Sequence, residues 1–311
     1  MTSPAELPID SIFLRDDPEL AVAQVGLGLT VYLDDPVLWA QEGAAAMLRA
    51  FLDIAPRDRL GWYTTSMLAD WHPVEPDGLE KLVEVLSTPS LERRVRHHFS
   101  FQLADNVGAA ETSFWYHEVD SSRDGRAGFL QLLLPQDHDP GDVVQLALEI
   151  GHRWPFWSGI GGHVATYWQG EKPSALWFIH DWCRRYLGLD VQDPEAMSWV
   201  APTGLPGASW LTMIGAPLAK AKRLNLAKLA KTRFDSPITV LEVAGGALVR
   251  AGDRPTTGDK NALVYPAAYA EVTRRLEDQL VKEVPELWGE LWKKKDTRKW
   301  FRRLLTPAEW R

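Results

Sequence analysis

The chain has 311 residues, 45% of them hydrophobic and 24% charged, with a single cysteine. That composition is ordinary for a folded protein and the length suffices for a full hydrophobic core, which excludes extensive disorder, a disulfide framework and a cysteine zinc site. The formal charge is −8 and unevenly spread: residues 286–311 hold eight bases against four acids, leaving −12 on residues 1–285, a balance that points away from nucleic acid as the main partner and towards a basic protein.

In chain order, residues 1–18 read as an acidic lead-in without the apolar core of a secretory signal. A strand is predicted over 22–33, rich in β-branched and aromatic positions. Asp34-Asp35-Pro36 then opens a helix over 37–54, an acidic cap followed by proline in the first turn. A strand over 60–66 and a helix over 78–86 follow. The middle is β-rich, with strands over 97–104, 112–119 and 129–134 separated by polar, glycine-bearing turns. Asp139-Pro140 caps a second helix to about residue 154, and a strand runs over 159–168. Helices are predicted over 173–187 and 266–284, and a strand over 238–252. Strand, Asp/Pro turn, helix and strand recur at near-equal spacing, so two or three related units are expected. The fold class is α+β: largely antiparallel sheets covered by helices, a domain over 19–284, and a basic amphipathic helical tail over 285–311. No apolar run approaches the roughly 18 residues that span a bilayer, and the chain reads as a cytoplasmic protein.

A search for chemistry finds no convincing active site. The sequence from Gly252 to Asn261, GDRPTTGDKN, has the wrong inner spacing for a phosphate loop, and Asp259 stands where a negative charge would repel phosphate. Glu149 and His152 share a helix face but supply one pair where a di-iron site needs two and further carboxylates. Cys183 sits in an apolar helix and reads as an inert buried thiol. No cofactor and no metal site are expected.

Two surface features remain. Residues 220–233 carry Lys220, Lys222, Arg223, Lys228, Lys231 and Arg233 with no acid; a solvated helix face with Leu218, Leu224 and Leu229 turned inward accounts for them. Acids cluster in loops, where they can steer a basic partner. The candidate contact set is Trp115, Glu118, Asp120 and Asp124, with Asp137, Asp139 and Asp142 nearby if the middle strands pair as hairpins. Alternation along the strand gives Trp115 even odds of facing the core.

The C-terminal half carries a family resemblance. Ser209-Trp210-Leu211-Thr212, Ala251-Gly252-x-x-Pro255, Gly258-Asp259-x-Asn261 and the helix with Tyr269 resemble a bacterial family of type VI secretion immunity proteins partnered with effectors that carry a VRR-Nuc nuclease domain. The stretches FWYHEVDSSRDGRAGFLQLLLPQ and GGHVATYW are similar to the same family, and the likeness spans roughly residues 20–282. It implies an inhibitor that binds a cognate toxin inside the cell and blocks its active site, with shape-determining rather than catalytic motifs. The chain contains no Glu-x-Lys or Asp-x-Lys tripeptide, so it is not itself a nuclease of that class. Two other readings stay open: an enzyme with a dispersed active site, and a membrane- or nucleic-acid-associated protein using residues 220–233 and the tail. They separate on whether a pocket gathers polar groups and whether the two basic stretches share a face.

Overall fold

Alternation in the middle strands divides the molecule into two faces. Over residues 98–104, Phe99, Phe101 and Leu103 are buried while Ser100 and Gln102 are half-buried; over 113–119, Phe114 and Tyr116 are buried while Ser113 and Trp115 are half-buried. Successive side chains of a strand point to opposite sides, so the first set makes an apolar face that needs helices over it. The register extends that face: Leu103 pairs with Phe114, Phe114 with Leu132, and Leu132 with Leu29.

A computed structural model describes residue 9 and residues 11–14, 17–34, 43–87, 98–119, 124–191, 193–285 and 292–307. The strands are β1 (Ile12–Leu14), β2 (Asp17–Leu33), β3 (Trp62–Thr65), β4 (His72–Pro73), β5 (His98–Ala104), β6 (Ser113–Val119), β7 (Gly128–Leu134), β8 (Phe156–Tyr167), β9 (Asp190–Val191), β10 (Leu211–Gly215), β11 (Ile238–Val243) and β12 (Gly246–Ala251). The helices are α1 (Gly43–Leu52), α2 (Gly78–Ser87), α3 (Pro140–Arg153), α4 (Lys172–Arg185), α5 (Pro194–Ser198), α6 (Ala216–Ala221), α7 (Leu226–Ala230), α8 (Ala267–Arg275) and α9 (Lys294–Phe301).

The strands form one sheet in the order β11-β12-β10-β8-β2-β7-β6-β5-β3-β4, with β1 added to β2 and β9 to β8. Pairing is antiparallel except between β8 and β9, so the α+β expectation holds as a single sheet. The recurring strand–helix–strand pattern corresponds to two crossovers, β2–α1–β3 and β7–α3–β8. The first passes three intervening strands and the second passes only β2. Both helices cover the apolar face: Phe51 of α1 meets Phe114 at 5.7 Å, and α3 packs across β2, β10, β11 and β12. Asp139 caps α3 by accepting from the Gly141 N–H at 2.9 Å, with Pro140 in the first turn.

Several elements differ from the sequence reading. Residues 12–14 of the expected lead-in pair with β2; the helix expected over 37–54 is present over Gly43–Leu52, and its expected start lies in residues 35–42, outside the described part. The helix expected over 266–284 ends at Arg275; a single 3-10 turn follows, then a bridge from Leu280 to Leu205. The strand expected over 238–252 is the β11–β12 hairpin. Its turn needs glycine, since a Cβ on Gly246 would lie 2.0 Å from the Ile214 carbonyl oxygen. Residues 220–233 form two short helices, not one. The tail is no appendage: Trp292, Trp300 and Leu304 are buried in the same hydrophobic cluster as the sheet, and the two indoles meet edge-on at 5.6 Å.

Candidate functional site

The second face of the sheet is covered unevenly. Over β6 and β7 it is met by α5: His117 stacks on Phe129 at 5.0 Å and approaches Glu195 at 4.0 Å, while Ala127 donates its N–H to Ser198 O. Lys172 at the start of α4 is tied to Asp193 at 3.3 Å. Towards β5 and β3 the cover thins, and a groove of about 290 Å³ opens, lined by Thr64, Trp71, Gln102, Trp115, Gln131 and Tyr167 among others.

Trp115 is one of the residues that line this groove. Its indole N–H donates to Ser100 Oγ at 3.1 Å on the neighbouring strand, and its ring packs edge-on against Phe129 at 4.9 Å. The indole is therefore held in one orientation by the sheet while part of its surface faces solvent, the arrangement of an aromatic anchor. Gln131 donates to Thr30 Oγ1 at 3.2 Å, fixing the groove floor. Between the lining residues Ala104 and Asn106, Asp105 accepts from the N–H groups of Glu111 and Thr112 at 3.2 and 3.0 Å; burial still pushes its carboxyl up to about 6. Burial also raises the Tyr167 phenol, helped by the charge of Asp193. Among the described residues no carboxylate, imidazole, thiol or amine lines the groove.

The other candidate centres dissolve in the structure. The Cys183 thiol is buried and pushed up by desolvation. Glu149 pairs with Arg153 at 3.1 Å, and His152 Nδ1 accepts from the Ala244 N–H at 3.2 Å. Asp259 caps a short turn and takes a bidentate pair from Arg185 at 3.0 and 2.7 Å. Among the described residues no group of three or more His, Cys, Asp or Glu is placed to hold a metal ion, and no helix is long and apolar enough to cross a membrane.

Electrostatics divides the molecule along the sheet. Residues 1–210 contain 14 bases against 30 acids, while residues 211–311 contain 20 bases against 12 acids. The second part supplies β10, β11 and β12, one end of the sheet, with α6 to α9 around them. Trp115 and its groove lie in the acidic part.

Residues 45–304 match the model of the TsiV family, described as type VI immunity for VRR-NUC. The chain belongs to this family. It is an immunity protein of the type VI secretion system, and its cognate partner is a VRR-NUC effector. A solved structure, the Pseudomonas aeruginosa T6SS protein PA0821, shares the fold with a TM-score of 0.76, covering 94% of this chain and 87% of that one at 19% identity. No curated protein matches the chain.

Within this TsiV chain the residues expected to meet the toxin fall into separate places. The middle strands do pair as hairpins, but Ser113 pairs with Leu133 and His117 with Phe129. Glu118 and Asp124 therefore lie past the Phe129 end of the β6–β7 ladder, whereas Asp137, Asp139 and Asp142 follow the Leu134 end, about 20 Å away at 3.3 Å per residue. Glu118 is not at the rim: it is 6% exposed and accepts from the Tyr116 hydroxyl. Asp137 and Asp139 are exposed, and Asp142 pairs with His138 at 3.0 Å. Asp120 lies outside the described residues. Gln102, Gln131 and Tyr167 escaped the sequence reading because polar and aromatic strand residues carry no mark of which face they join.

Proposed function

We propose that the chain neutralises its VRR-NUC effector by docking the acidic part of the molecule on the nuclease and covering its active site, with Trp115 as the central anchor. It does so in the cytoplasm and without catalysis of its own. The observation that carries this reading is the coincidence of a fixed, part-exposed indole with the acidic side of a charge-divided protein. A nuclease must present cations where phosphates bind, and a carboxylate-rich surface opposes them by charge. Exposed acids such as Asp137 and Asp139 raise the encounter rate, and the indole supplies buried contact that slows dissociation. The groove's lining of amides, hydroxyls and apolar side chains, with no carboxylate, imidazole, thiol or amine among the described lining residues to activate a hydroxyl, supports a binding surface over a dispersed active site. The reading is tested by mixing the purified effector nuclease domain with the protein and following nuclease activity. Stoichiometric loss of activity with wild type, and escape from inhibition with Trp115→Ala, support it. Full inhibition by the variant moves the anchor elsewhere.

A further inference from the structure

The basic end of the sheet holds a feature outside the effector-binding surface proposed above. Of the six cations in residues 220–233, Lys220, Arg223, Lys228, Lys231 and Arg233 are exposed. No ion pair joins any of the six to a described carboxylate, although pairs of this kind occur close by, as at Arg302–Glu277. The apolar side chains beneath them are turned in, with Leu218 and Leu229 buried.

Backbone geometry at the junction of α6 and α7 adds an independent observation. The Leu224 N–H bonds to Ala219 O at 2.8 Å and the Arg223 N–H to Lys220 O at 3.2 Å. This is a Schellman closure, and its left-handed position is filled by Arg223 at φ 55°. Glycine is the residue that takes that position without steric penalty. An arginine there accepts local strain and stands, exposed, at the junction of two short helices that also carry Lys220 and Lys228. Strain of this kind, tied to a charged side chain, marks a working position.

The two basic stretches are also linked in space. Arg275 of α8 lies over the Phe234 ring at 5.9 Å, beside Arg233, and Arg302 pairs with Glu277 just beyond α8 at 2.9 Å. Arg274 of α8 and Arg298 and Lys299 of α9 are exposed on the elements that these contacts join. We propose that this band, centred on Arg223, binds the phosphate backbone of a nucleic-acid duplex. Phosphate is the recognised group, and affinity comes from displaced counterions and not from base reading. A lipid surface is the weaker occupant, because residues 216–251 carry no exposed large apolar side chain to enter the acyl region.

The test is fluorescence anisotropy with a labelled 20-base-pair duplex from 50 to 200 mM salt, on the full chain. Wild type is expected to bind in the micromolar range at 50 mM salt and to weaken steeply as salt rises, as non-specific duplex binders do. Lys220→Glu/Arg223→Glu/Lys228→Glu/Lys231→Glu should weaken binding at least tenfold and flatten the log–log salt slope by about 3 or more. Arg223→Gly is the decisive single change: it should raise the melting temperature by removing the strain, yet lower the slope by about 1. No duplex binding at 50 mM salt overturns the proposal. So does unchanged affinity in the folded quadruple variant, or binding to vesicles of 30% phosphatidylserine with none to the duplex.

Discussion

Arg303 donates its Nε–H to the carbonyl oxygen of Leu187, 2.8 Å away. The same guanidinium reaches Leu189 O at 3.3 Å and stacks on Trp300 at 3.5 Å. A residue near the C-terminus thus closes the segment between α4 and β9, and Asp190 stands 3.7 Å off as its counter-charge. The guanidinium is almost wholly buried, and removing it strands the Leu187 and Leu189 carbonyls out of water and takes an ion-pair partner from Asp190. Arg303→Ala should cost roughly 3–5 kcal/mol in urea unfolding. Arg303→Lys, which keeps charge but not the planar fork, should lose part of that. Variants as stable as wild type would show that the tail is not fastened there.

Two buried groups should give opposing pH dependences. Burial lowers the His163 imidazole to about 4. Between pH 6.5 and 4 the unfolded state binds the extra proton, so this group's contribution is lost as pH falls. Burial raises Asp105 to about 6, so between pH 4 and 6 the folded state holds the extra proton and this contribution is lost as pH rises. Each effect is on the order of 2–3 kcal/mol and they oppose each other over pH 4–6. His163→Gln should therefore become less stable from pH 4.5 to 6.5, and Asp105→Asn more stable, relative to a flatter wild type. Unfolding curves at the two pH values check both signs.

The acids near β6 should separate by burial. Glu118→Lys places an unmatched ammonium where a buried carboxylate holds the Tyr116 hydroxyl, and should destabilise the fold by several kcal/mol. Asp137→Lys alters an exposed turn and should leave the melting temperature within about 2 °C. Its effect should appear in effector association at low salt and fade above 0.1 M, where screening acts within about 10 Å. An equal loss of stability in both variants would contradict the placement of Glu118.

How much of this was legible in the sequence depends on the range of the cause. Strand alternation at Phe99, Phe101 and Leu103 and the Asp139-Pro140 cap are local signals, and they gave elements within a residue or two of those observed. The β11–β12 hairpin was missed although Gly245-Gly246 is a turn signal, because apolar residues continue on both sides of it. The early end of α8 has no glycine or proline to announce it; the chain leaves the helix so that Leu280 can pair with Leu205. The buried Arg303 and the charge division along the sheet are long-range facts, set by which strands become neighbours. Trp115 was legible as a candidate but its orientation was not, since period-2 alternation assigns residues to faces without saying which face is filled.

In the proposed complex the acidic part of the molecule, anchored by Trp115, covers the nuclease active site. The most direct measurement is binding of the purified effector nuclease domain to wild type and Trp115→Ala by surface plasmon resonance, with a duplex-cleavage assay on the same samples. Wild type should bind at nanomolar affinity or tighter, about −12 kcal/mol or more. Trp115→Ala should lose roughly 2 kcal/mol or more, mostly in the dissociation rate, with inhibition lost in proportion. Wild-type affinity and full inhibition in a correctly folded Trp115→Ala variant would contradict that arrangement.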